Sequence, residues 1–573
     1  MPGVAPDSDF PGQDLNTVTP RPSEPTATVP EPAAAGSRHA PDAIELELFT
    51  NRFAAVAGEM GERLRRTALS TNVRDRLDFS CAVLDREGRL VVNAPHIPVH
   101  LGALGLCVRR VRETCPLAPG DAVVTNHPGF GGSHLPDVTI VHAVGDDRGE
   151  LLGYVASRAH HAELGGTRPG SMPPNARSLA EEGVVLPPTW LVRGGESRWQ
   201  QLEALLSGGP HPSRAVAENL ADLEAAVAAN HQGVRGLQAL ARQHGAARVQ
   251  HFMDRLRAQA REQAVRALEG FGSWHRTAEQ RLDDGSPLRL DLRIADGRAV
   301  FDFRASGDVH PGNLNATPAI VRSAVLYALR ATLDEPLPLN EGLLEPVTVL
   351  LRRGSLLDPE FPDDPRLAPA VVGGNVETSQ RLVDTLFEAL GLVACSQGTM
   401  NNLLFGNEHF GYYETVCGGA GAGPDFDGAD AVHTHMTNTR ITDPEILEWR
   451  YPVRLERFAI RRGSGGAGRH RGGDGVVREL RFLEPVALSI LGQHRVEAPY
   501  GVDGGQPGAV GRQRLIRADG HEVELAGVDA ADVEAGDRLI LETPGGGGWG
   551  APREVIEPGE IEPGETERGE VEP

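Results

Sequence analysis

Alternation of apolar and polar positions assigns helical character to two long parts of the chain. In PDAIELELFTNRFAAVAGEMGERLRRTAL the apolar residues recur at helical spacing, and Pro41 lies near the start, where a helix tolerates proline. Residues 213–269 are rich in Ala, Leu and Arg and contain few glycines, which predicts two or more amphipathic helices. We therefore expect one helix near the N-terminus and a long-helix region in the middle of the chain.

Three other segments predict β-hairpins, because in each of them two apolar runs flank a short polar turn. They are FSCAVLDREGRLVVNA, VTIVHAVGDDRGELLGYVASRAH and LRLDLRIADGRAVFDFRAS, the last of which turns at Asp296 and Gly297. From about residue 370 onward the chain is rich in glycine and irregular in pattern. The predicted fold class is α+β: a mixed multilayer fold with β-hairpins, a central long-helix region and a glycine-rich C-terminal half.

Composition separates both ends of the chain from this patterned region. Residues 1–40 are rich in Pro, Ala, Ser and Thr without periodicity, and residues 551–573 repeat E-P-G-E with eight glutamates against two arginines. Both compositions are typical of disordered, solvated segments. Between them we expect one catalytic region over residues 41–550, with a candidate subdivision near 200–280.

The overall charge and hydropathy restrict the partners and the location. The formal net charge of −23 makes nucleic acid and anionic membrane surfaces poor partners. No run of about 18 apolar residues is present, and the N-terminus lacks the charged-then-apolar order of a signal peptide. The sequence therefore predicts a cytoplasmic location.

Cysteine and lysine usage restricts the chemistry. The five cysteines are scattered and never form C-x-x-C, so neither a disulfide framework nor a cysteine zinc site is expected, and each cysteine is predicted to be a small buried side chain. Lysine is absent from the sequence, which excludes a Walker-type phosphate loop and Schiff-base chemistry in this chain. The exclusive use of arginine also indicates a GC-rich, bacterial genome.

The second hairpin carries the strongest candidate for a metal site. Its first strand begins in GGSHLPDVTI and its second strand ends in SRAHHAELGG. The two motifs together hold three histidines and an aspartate. A turn centred on residues 147–148 places Asp137 opposite Arg158 and His134 opposite His161. Facing side chains in such a ladder are about 5 Å apart, so these groups are expected to lie close together.

In that arrangement His160 lies one diagonal step, about 7 Å, from Asp137 on the same face, and both can share an ion with His134. Two imidazoles and a carboxylate suit Zn²⁺, Mn²⁺ or Fe²⁺ and leave positions open for water or substrate. A one-residue slip in register would put His161 in place of His160. The competing interpretation is that these are unrelated polar residues that hydrogen-bond near a strand.

Other histidines and glycines give weaker signals. AVHTHMTNTR places His433 and His435 on one face of a strand, where they could ligate a metal, line a pocket or bond to the backbone. No role can be assigned to His96 or His100 in APHIPVHLG. GGAGAG resembles half of a dinucleotide fingerprint, but PDFDG follows where a helix should start, so a Rossmann site has little support.

A series of longer motifs resembles the hydantoinase B/oxoprolinase family in the same order along the chain. These motifs are RLDFSCAVLDREGRLVVNAPHIPVHLGAL, GDAVVTNHPGFGGSHLPDVTIV, ASRAHHAELGGTRPGSMPPNARSLAEEGVVLP, PGNLNATPAIVRSAVLYALR, VVGGNVETSQRLVD, SQGTMNNLLFGN, YYETVCGGAGAG, DAVHTHMTNTRITDPEILEWRYPVR and GSGGAGRHRGGDGVVRELRFL. The resemblance covers roughly residues 42–550.

The resemblance implies an enzyme that works with a partner. Members resemble the B-type component of ATP-dependent N-methylhydantoinases, the C-terminal half of 5-oxoprolinases and a subunit of acetone and acetophenone carboxylases. In those systems an A-type subunit binds ATP and phosphorylates the carbonyl oxygen of the substrate. The resemblance also implies that His134, Asp137 and His160 (or His161) hold a divalent metal, either Zn, Mn or Fe. A hetero-oligomer with an A-type partner is the expected assembly.

The sequence then supports a hypothesis for the remaining site residues. The expected reaction is ring opening of a hydantoin or 5-oxoproline-like lactam, in which a metal lowers the pKa of the attacking water. Candidates for proton transfer are His161 and the pair His433 and His435. Candidates for orienting the substrate are Asn126, Arg158 and Asn401; the alternative is that all three only hydrogen-bond within loops or, for Arg158, form a structural ion pair.

Two alternative functions and two departures from the family pattern stand beside this hypothesis. The chain could be the metal-containing subunit of an ATP-dependent ketone carboxylase, or a non-catalytic scaffold that completes the A-type subunit. His127 stands where the family favours an acidic residue, and Glu163 stands where aspartate is commoner. Because position 127 is close to the predicted site, we expect the histidine there to affect substrate preference.

Overall fold

The computed structural model describes residues 40–93, 97–333 and 339–552. The predicted disordered ends, residues 1–40 and 551–573, fall almost entirely outside the described residues, and so does His96. The chain divides into two units, Met1–Glu45 and Leu46–Pro573. Of the first unit, the first residues of helix α1 are described, and the sheets and the site belong to the second.

The helices of the described residues confirm the predicted N-terminal helix and the prediction of two or more helices within residues 213–269. They are α1 (Ala40–Thr67), α2 (Thr71–Arg74), α3 (Leu101–Thr114), α4 (Leu179–Glu182), α5 (Trp199–Leu206), α6 (Val216–His244), α7 (Ala246–Gly270), α8 (Pro318–Ala331), α9 (Ser379–Leu390) and α10 (Pro444–Arg450). A π-helix, Gly374–Thr378, runs directly into α9. Short 3-10 turns span Pro98–His100, Pro128–Phe130 and Glu341–Leu344.

The strands follow the predicted hairpins and add many more in the C-terminal half. They are β1 (Phe79–Leu84), β2 (Leu90–Asn93), β3 (Ala122–Thr125), β4 (Asp137–Gly145), β5 (Leu151–His160), β6 (Thr189–Arg193), β7 (Glu196–Ser197), β8 (Trp274–Arg281), β9 (Pro287–Ala295), β10 (Arg298–Asp302), β11 (Val347–Leu350), β12 (Asn402–Gly406), β13 (Gly411–Thr415), β14 (Val453–Arg461), β15 (Gly475–Phe482), β16 (Val486–Leu491), β17 (Arg512–Ile516), β18 (Glu522–Leu525), β19 (Val528–Val533) and β20 (Arg538–Glu542).

These strands form four sheets in the described part of the chain. The largest has seven strands in the order β2-β1-β5-β4-β3-β6-β7, and the others have the orders β11-β10-β9-β8, β13-β12-β16-β19 and β14-β15-β20-β17-β18. All three predicted hairpins are confirmed, as β1–β2, β4–β5 and β9–β10. At the last of these, Asp296 and Gly297 have φ values of 51° and 67°, the left-handed pair that a tight two-residue hairpin needs.

Helices cover the seven-stranded sheet on both faces, which buries the predicted site. On one face Met60 of α1 and Leu237 of α6 belong to the same core as Ile140. On the other face Leu104 of α3 packs in a core with Val141. Because alternate residues of a strand share a face, Asp137 lies on the side of α3, at the start of β4. Every residue of β4 is buried, its polar residues included.

Glycine-rich loops of the C-terminal half pack backbone against backbone. A Cβ on Gly419 would lie 1.9 Å from the carbonyl oxygen of Gly473, and one on Gly546 would lie 2.0 Å from that of Ala420. Gly473 donates from its backbone N to the oxygen of Ala420 at 2.8 Å, and Gly546 donates to the oxygen of Gly473 at 2.9 Å. The glycines of GGAGAG therefore serve close packing of loops, and no helix follows them among the described residues before α10.

The described helices contain no segment long and apolar enough to cross a membrane. The predicted cytoplasmic location stays a prediction.

Candidate active site

The β4–β5 hairpin brings Asp137 and His160 together, but in a different register from the predicted one. Asp137 pairs directly with His160, and Arg158 pairs with Thr139. The predicted pairing of Asp137 with Arg158 was wrong by two residues, because the turn does not centre on residues 147–148 and the register shifts between Val144 and Gly145. An even shift leaves every side chain on its predicted face, so His160 remains beside Asp137.

Two histidines converge on one carboxylate oxygen. Nε2 of His134 and Nε2 of His100 each lie 3.3 Å from Oδ2 of Asp137, and all three side chains are at most 1% exposed. Nδ1 of His100 in turn lies 3.0 Å from the hydroxyl of Ser80. Burial alone would raise the pKa of Asp137, but the two rings hold that pKa well below its ordinary value.

His160 completes the group from the neighbouring strand, and we call His134, Asp137 and His160 the hairpin site. The ring of His160 lies 5.0 Å from that of His134 and is stacked on Tyr413 at 4.5 Å with an interplanar angle of 13°. Its Nδ1 atom lies 3.1 Å from the side-chain amide of Asn72. Burial, with a contribution from His134, lowers the pKa of His160 well below its ordinary value. A neutral imidazole is the form that binds metals.

The chemistry of this group fits a divalent cation. Within the part of the chain that the structure describes, Nδ1 of His134, Nε2 of His160 and Oδ1 of Asn375 have no hydrogen-bond partner although all are buried. Such atoms are nearly always paired with protein, water or an ion. Imidazoles with one carboxylate suit Zn²⁺, Mn²⁺ or Fe²⁺. The donor types therefore agree with the predicted ligands His134, Asp137 and His160.

The spacing of these donors is looser than a bound ion requires. Among described residues, the one set of at least three His, Cys, Asp or Glu side chains whose ligand atoms all lie within 4.8 Å of one another is Asp384, Cys395 and His494. In the hairpin site, Nε2 of His134 is instead directed at the carboxylate of Asp137. Ligation of one ion by all three predicted residues therefore requires a side chain to turn.

A π-helix brings the C-terminal half to this site. Asn375 lies in it, and its Nδ2 atom is 3.1 Å from Nε2 of His134. Glu377, two residues further on, accepts hydrogen bonds from Asn402 Nδ2 at 2.7 Å and from the backbone N of Met400 at 3.2 Å. Burial raises the pKa of Glu377 to about 8. π-helices are frequent at functional sites because they redirect side chains inside a helix.

Gly374 of this π-helix lies against a neighbouring backbone, which gives a first testable prediction. A Cβ at Gly374 would lie 1.8 Å from the carbonyl oxygen of Asn315, an atom that cannot move aside. Gly374→Ala is therefore expected to lower the free energy of unfolding by about 1–3 kcal/mol in urea denaturation. Gly58→Ala is the matched control, because no atom lies within 4 Å of its Cβ, and a helical alanine is expected to stabilise by about 0.5–1 kcal/mol. Equal effects of the two substitutions would contradict the close approach.

Glu182 fastens the segment that precedes the π-helix. Its Oε1 atom accepts hydrogen bonds from the backbone N atoms of Val371 at 2.9 Å and Val372 at 2.8 Å. The side chain is fully buried. Burial raises its pKa from 4.5 to about 8, against the smaller lowering effect of these two hydrogen bonds. The carboxyl is therefore protonated in the folded protein at neutral pH.

This raised pKa predicts a pH dependence of stability. Between pH 4.5 and about 8 the folded protein keeps a proton on Glu182 that the unfolded chain loses, so the stability from this group is complete below pH 4.5 and falls as the pH rises. Across that window the free energy of unfolding of the wild type, compared with that of Glu182→Gln, should fall by up to about 1.4 kcal/mol per pH unit in denaturant unfolding. Glu181→Gln is the control, and the same pH trend in both variants would refute the assignment to Glu182.

The three residues predicted to orient the substrate are occupied by bonds within the protein. Asn126 uses its amide on the backbone of Leu135, Val184 and Leu186 at 2.7–2.9 Å. Arg158 donates to Thr139, Ser133 and the oxygen of Gly131 at 2.8–3.1 Å.

Asn401 has a left-handed backbone, with φ 47°, and its side chain also pairs inside the protein. Its amide donates to Gln397 and to the oxygen of Val416, and its Oδ1 atom accepts from Arg495 at 2.9 Å. Like Asn126 and Arg158, it holds loops in place in this structure.

The three predicted proton-transfer histidines lie in different surroundings. His161 lies beside Asn219, with Nδ1 3.2 Å from that amide, and burial lowers its pKa. His435 lies 3.0 Å from Oδ1 of Asp384 through Nε2. Burial, with a smaller contribution from Arg76, lowers the pKa of His433 to about 4. His433 and His435 lie in a loop and not in a named strand, and His435 has a left-handed backbone with φ 57°, so the strand that was to place them on one face is not formed.

Sequence reasoning left two members of the site unassigned. His100 lies in the 3-10 turn Pro98–His100 before α3, and no local pattern links it to Asp137, which is distant in sequence. Asn375 lies in VVGGNVETSQ, where the π-helix that positions it has no periodic signature. The paired glycines before Asn375 were the one local signal, since they indicate a close approach of backbones.

The fold and the hairpin site together define the class of protein: an α+β chain with a buried histidine–carboxylate group carried by a β-hairpin. A family model described as Hydantoinase B/oxoprolinase matches residues 42–552. The chain belongs to this family, as the sequence motifs predicted.

Relatives and a solved structure agree with this membership. 5-oxoprolinase 1 of Arabidopsis thaliana is 44% identical over 539 residues, covering 89% of this chain and 42% of that protein. A Pseudomonas sp. protein named as the B-type component of a D-/L-hydantoinase is 28% identical over 548 residues, covering 90% of each chain. The crystal structure of an ATP-dependent caprolactamase from Pseudomonas jessenii matches with a TM-score of 0.81 and 26% identity, covering 89% of this chain and 91% of that chain.

These comparisons confirm the predicted α+β fold class and the predicted family. The chain spans about two fifths of the length of the plant 5-oxoprolinase, 42% by the aligned share. Relatives come from eukaryotes as well as bacteria, so the comparisons do not support the bacterial origin predicted from the composition.

Proposed function

We propose that the chain is the B-type component of an ATP-dependent hydrolase that opens a cyclic amide, a hydantoin or a 5-oxoproline-like lactam, after an A-type subunit has phosphorylated the carbonyl oxygen. The observation that carries the proposal is the buried group of His134, Asp137 and His160 with unpaired imidazole atoms. The names of the relatives add support, because 5-oxoproline, hydantoin and caprolactam are all cyclic amides.

The division of labour rests on the absence of lysine from this sequence. A chain without lysine cannot supply the lysine of a Walker-type phosphate loop. ATP binding is therefore assigned to the A-type partner in a hetero-oligomer. The hydantoinase relative is named as a B-type component and aligns over 90% of its own length, which supports such an arrangement.

The residues of this chain would act by holding charge and excluding water. His134, Asp137 and His160 are the residues that would hold a divalent cation, with His100 orienting Asp137. When bound, the cation would act as a Lewis acid toward oxygen. All three side chains are at most 3% exposed, so a substrate bound beside them would be shielded from bulk water.

Proton transfer is assigned to His433 among the three candidates. Burial lowers the pKa of His433 to about 4, which keeps its ring neutral at pH 7 but makes it a weak base, so the assignment rests on its unpaired nitrogen. Its Nδ1 atom has no partner within the described part of the chain. Nε2 of His435 is instead engaged by Asp384. His161 is paired with Asn219.

Reconstitution with an A-type subunit tests the proposed function. The two chains are purified separately, mixed with ATP and offered hydantoin, 5-oxoproline or caprolactam, and both ring-opened product and ADP are quantified. We expect ring opening only with both chains and ATP present. Ring opening by the A-type subunit alone at an equal rate would contradict the proposal. Ring opening that needs both chains but is unchanged in Asp137→Asn would favour the scaffold alternative, and carboxylation of a ketone without lactam opening would favour the carboxylase. His409→Ala, on an exposed turn, is the control variant.

A further inference from the structure

A second group of potential ligands lies in the glycine-rich half, outside the hairpin site. Asp384 belongs to α9, Cys395 follows that helix, and His494 follows β16. Their ligand atoms all lie within 4.8 Å of one another, and all three side chains are buried. We call these three residues the Asp384 cluster. Asp384 is nine positions after Asn375 on one continuous helical segment, so the two residues are about 13 Å apart along the helix axis.

The carboxylate of Asp384 is held on one side and free on the other. Its Oδ1 atom lies 3.0 Å from Nε2 of His435 and accepts a hydrogen bond from the backbone N of Ser396 at 3.2 Å. Its Oδ2 atom has no hydrogen-bond partner in the described part of the chain, although the residue is 1% exposed. An unpaired carboxylate oxygen at full burial is costly unless something binds it.

The imidazole of His494 is oriented for ligation. Its Nδ1 atom pairs with the carbonyl oxygen of Glu497, which can only accept, so Nδ1 carries the proton. The lone pair of Nε2 then faces the sulfur of Cys395, 3.6 Å away. A backbone carbonyl on the distal nitrogen is the usual support of a metal-bound histidine. His494 also has a left-handed backbone, with φ 56°, which the surrounding structure must maintain.

The separation of nitrogen and sulfur matches zinc geometry. A tetrahedral Zn²⁺ with Zn–S of about 2.3 Å and Zn–N of about 2.0 Å places the two ligand atoms about 3.5 Å apart. The observed Sγ–Nε2 distance is 3.6 Å. A direct S–H···N hydrogen bond also tolerates that distance, so a test must separate the two.

Gly398 approaches the cluster closely. A Cβ at this position would lie 2.3 Å from Nε2 of His494 and 2.8 Å from Oδ2 of Asp384. These are the two atoms whose lone pairs would face a shared ion. A side chain at this position would therefore collide with both candidate ligands.

The charges around the cluster suit a divalent cation. The cluster holds one carboxyl and one thiol, and the buried Arg381 lies one turn before Asp384. A bound cation deprotonates a thiol that coordinates it, and the thiolate is the form of cysteine that binds metal. Thiolate and carboxylate together then balance the charge of the cation.

We propose that Asp384, Cys395 and His494 form a zinc-binding site, with His435 positioning the carboxylate. A thiolate, an imidazole and a carboxylate form a ligand set that selects zinc over magnesium or calcium. The site joins α9 to two loops of the glycine-rich half, and it is independent of the proposed activity. The expectation of no cysteine zinc site rested on the absence of C-x-x-C, whereas these ligands are far apart in sequence.

Cobalt substitution of the full-length chain tests the site directly. The purified protein is stripped with a chelator, titrated with Co²⁺ and followed by absorption, and zinc content is measured separately by elemental analysis. We expect a thiolate-to-cobalt charge-transfer band whose final intensity corresponds to one thiolate-bound cobalt per chain and which is displaced by Zn²⁺. Because the wild-type spectrum alone reports a thiolate ligand, the test does not depend on a variant that folds. Absence of the band in folded wild-type protein would overturn the proposal.

Variants assign the band to this cluster. Cys395→Ser and Gly398→Ala should lose it and lower the zinc content by one equivalent, whereas Cys417→Ser, at another buried cysteine, should retain both. Asp137→Asn should also retain the band, which separates this site from the hairpin site. Loss of the band in Cys417→Ser but not in Cys395→Ser would refute the assignment.

Discussion

Replacing Asp137 with asparagine is expected to reduce ATP-dependent ring opening by at least about 100-fold, because the amide keeps the volume of the side chain but removes its charge. In the structure this carboxylate is the one group that both His134 and His100 contact. Without the charge, a cation would be held by neutral imidazoles alone. The reconstituted complex gives the activity, and elemental analysis of the purified chain gives the bound metal.

The combination of the two measurements identifies the cause of a loss. If Asp137→Asn loses both the activity and one equivalent of bound metal, the result supports cation binding by Asp137. His134→Ala should then behave in the same way. Loss of activity with unchanged metal content would assign Asp137 a role without a cation. An unchanged rate in Asp137→Asn would remove the hairpin site from the reaction. His409→Ala, which changes a histidine on an exposed turn, is the control and should keep both the activity and the bound metal.

Arg158→Met is expected to lower the free energy of unfolding by about 3 kcal/mol, since it leaves buried acceptors unsatisfied. The guanidinium of Arg158 is completely buried and donates to Thr139, Ser133 and the oxygen of Gly131. Those bonds fix the loop that leads into His134. Denaturant unfolding measures the loss, and Arg353→Met, at an exposed arginine, should change stability by less than about 0.5 kcal/mol.

Kinetics distinguish this structural role from the substrate contact that the sequence predicted. If Arg158 only holds the loop, the fraction of Arg158→Met that remains folded should show a KM within a few-fold of the wild type. A stable variant with a strongly raised KM would instead place Arg158 against the substrate and contradict the structural role.

Periodicity in the sequence was sufficient for the hairpin that carries the site. The apolar runs around residues 137–160 predict two antiparallel strands, and the sidedness of strands then places His160 and Asp137 on the same face. Register was harder to predict, because it depends on an irregularity between Val144 and Gly145 that has no sequence pattern. The predicted register was wrong by two residues, an even number, so His160 and not His161 still lies on the same face as Asp137.

Contacts between distant segments could not be predicted from local patterns. His100 reaches Asp137 because α3 packs on the same face of the sheet, and Asn375 reaches His134 because a π-helix turns it inward. The binding role of Asn126 and Asn401 stays a prediction, and their bonds within the protein show why it is hard to judge. A sequence cannot tell an asparagine that braces a loop from one that awaits a ligand, since both are buried polar residues near glycines.

The backbone packing of the glycine loops has a consequence for evolution. Every single-base change of a glycine codon that alters the amino acid introduces a Cβ or ends the chain, and at Gly419 or Gly546 any Cβ would overlap a carbonyl oxygen. Substitution at these positions is therefore blocked by geometry, whatever reaction the protein catalyses. We expect these glycines to persist in descendants that act on a different substrate. Their persistence would then reflect the close packing of the loops and not the binding of a nucleotide.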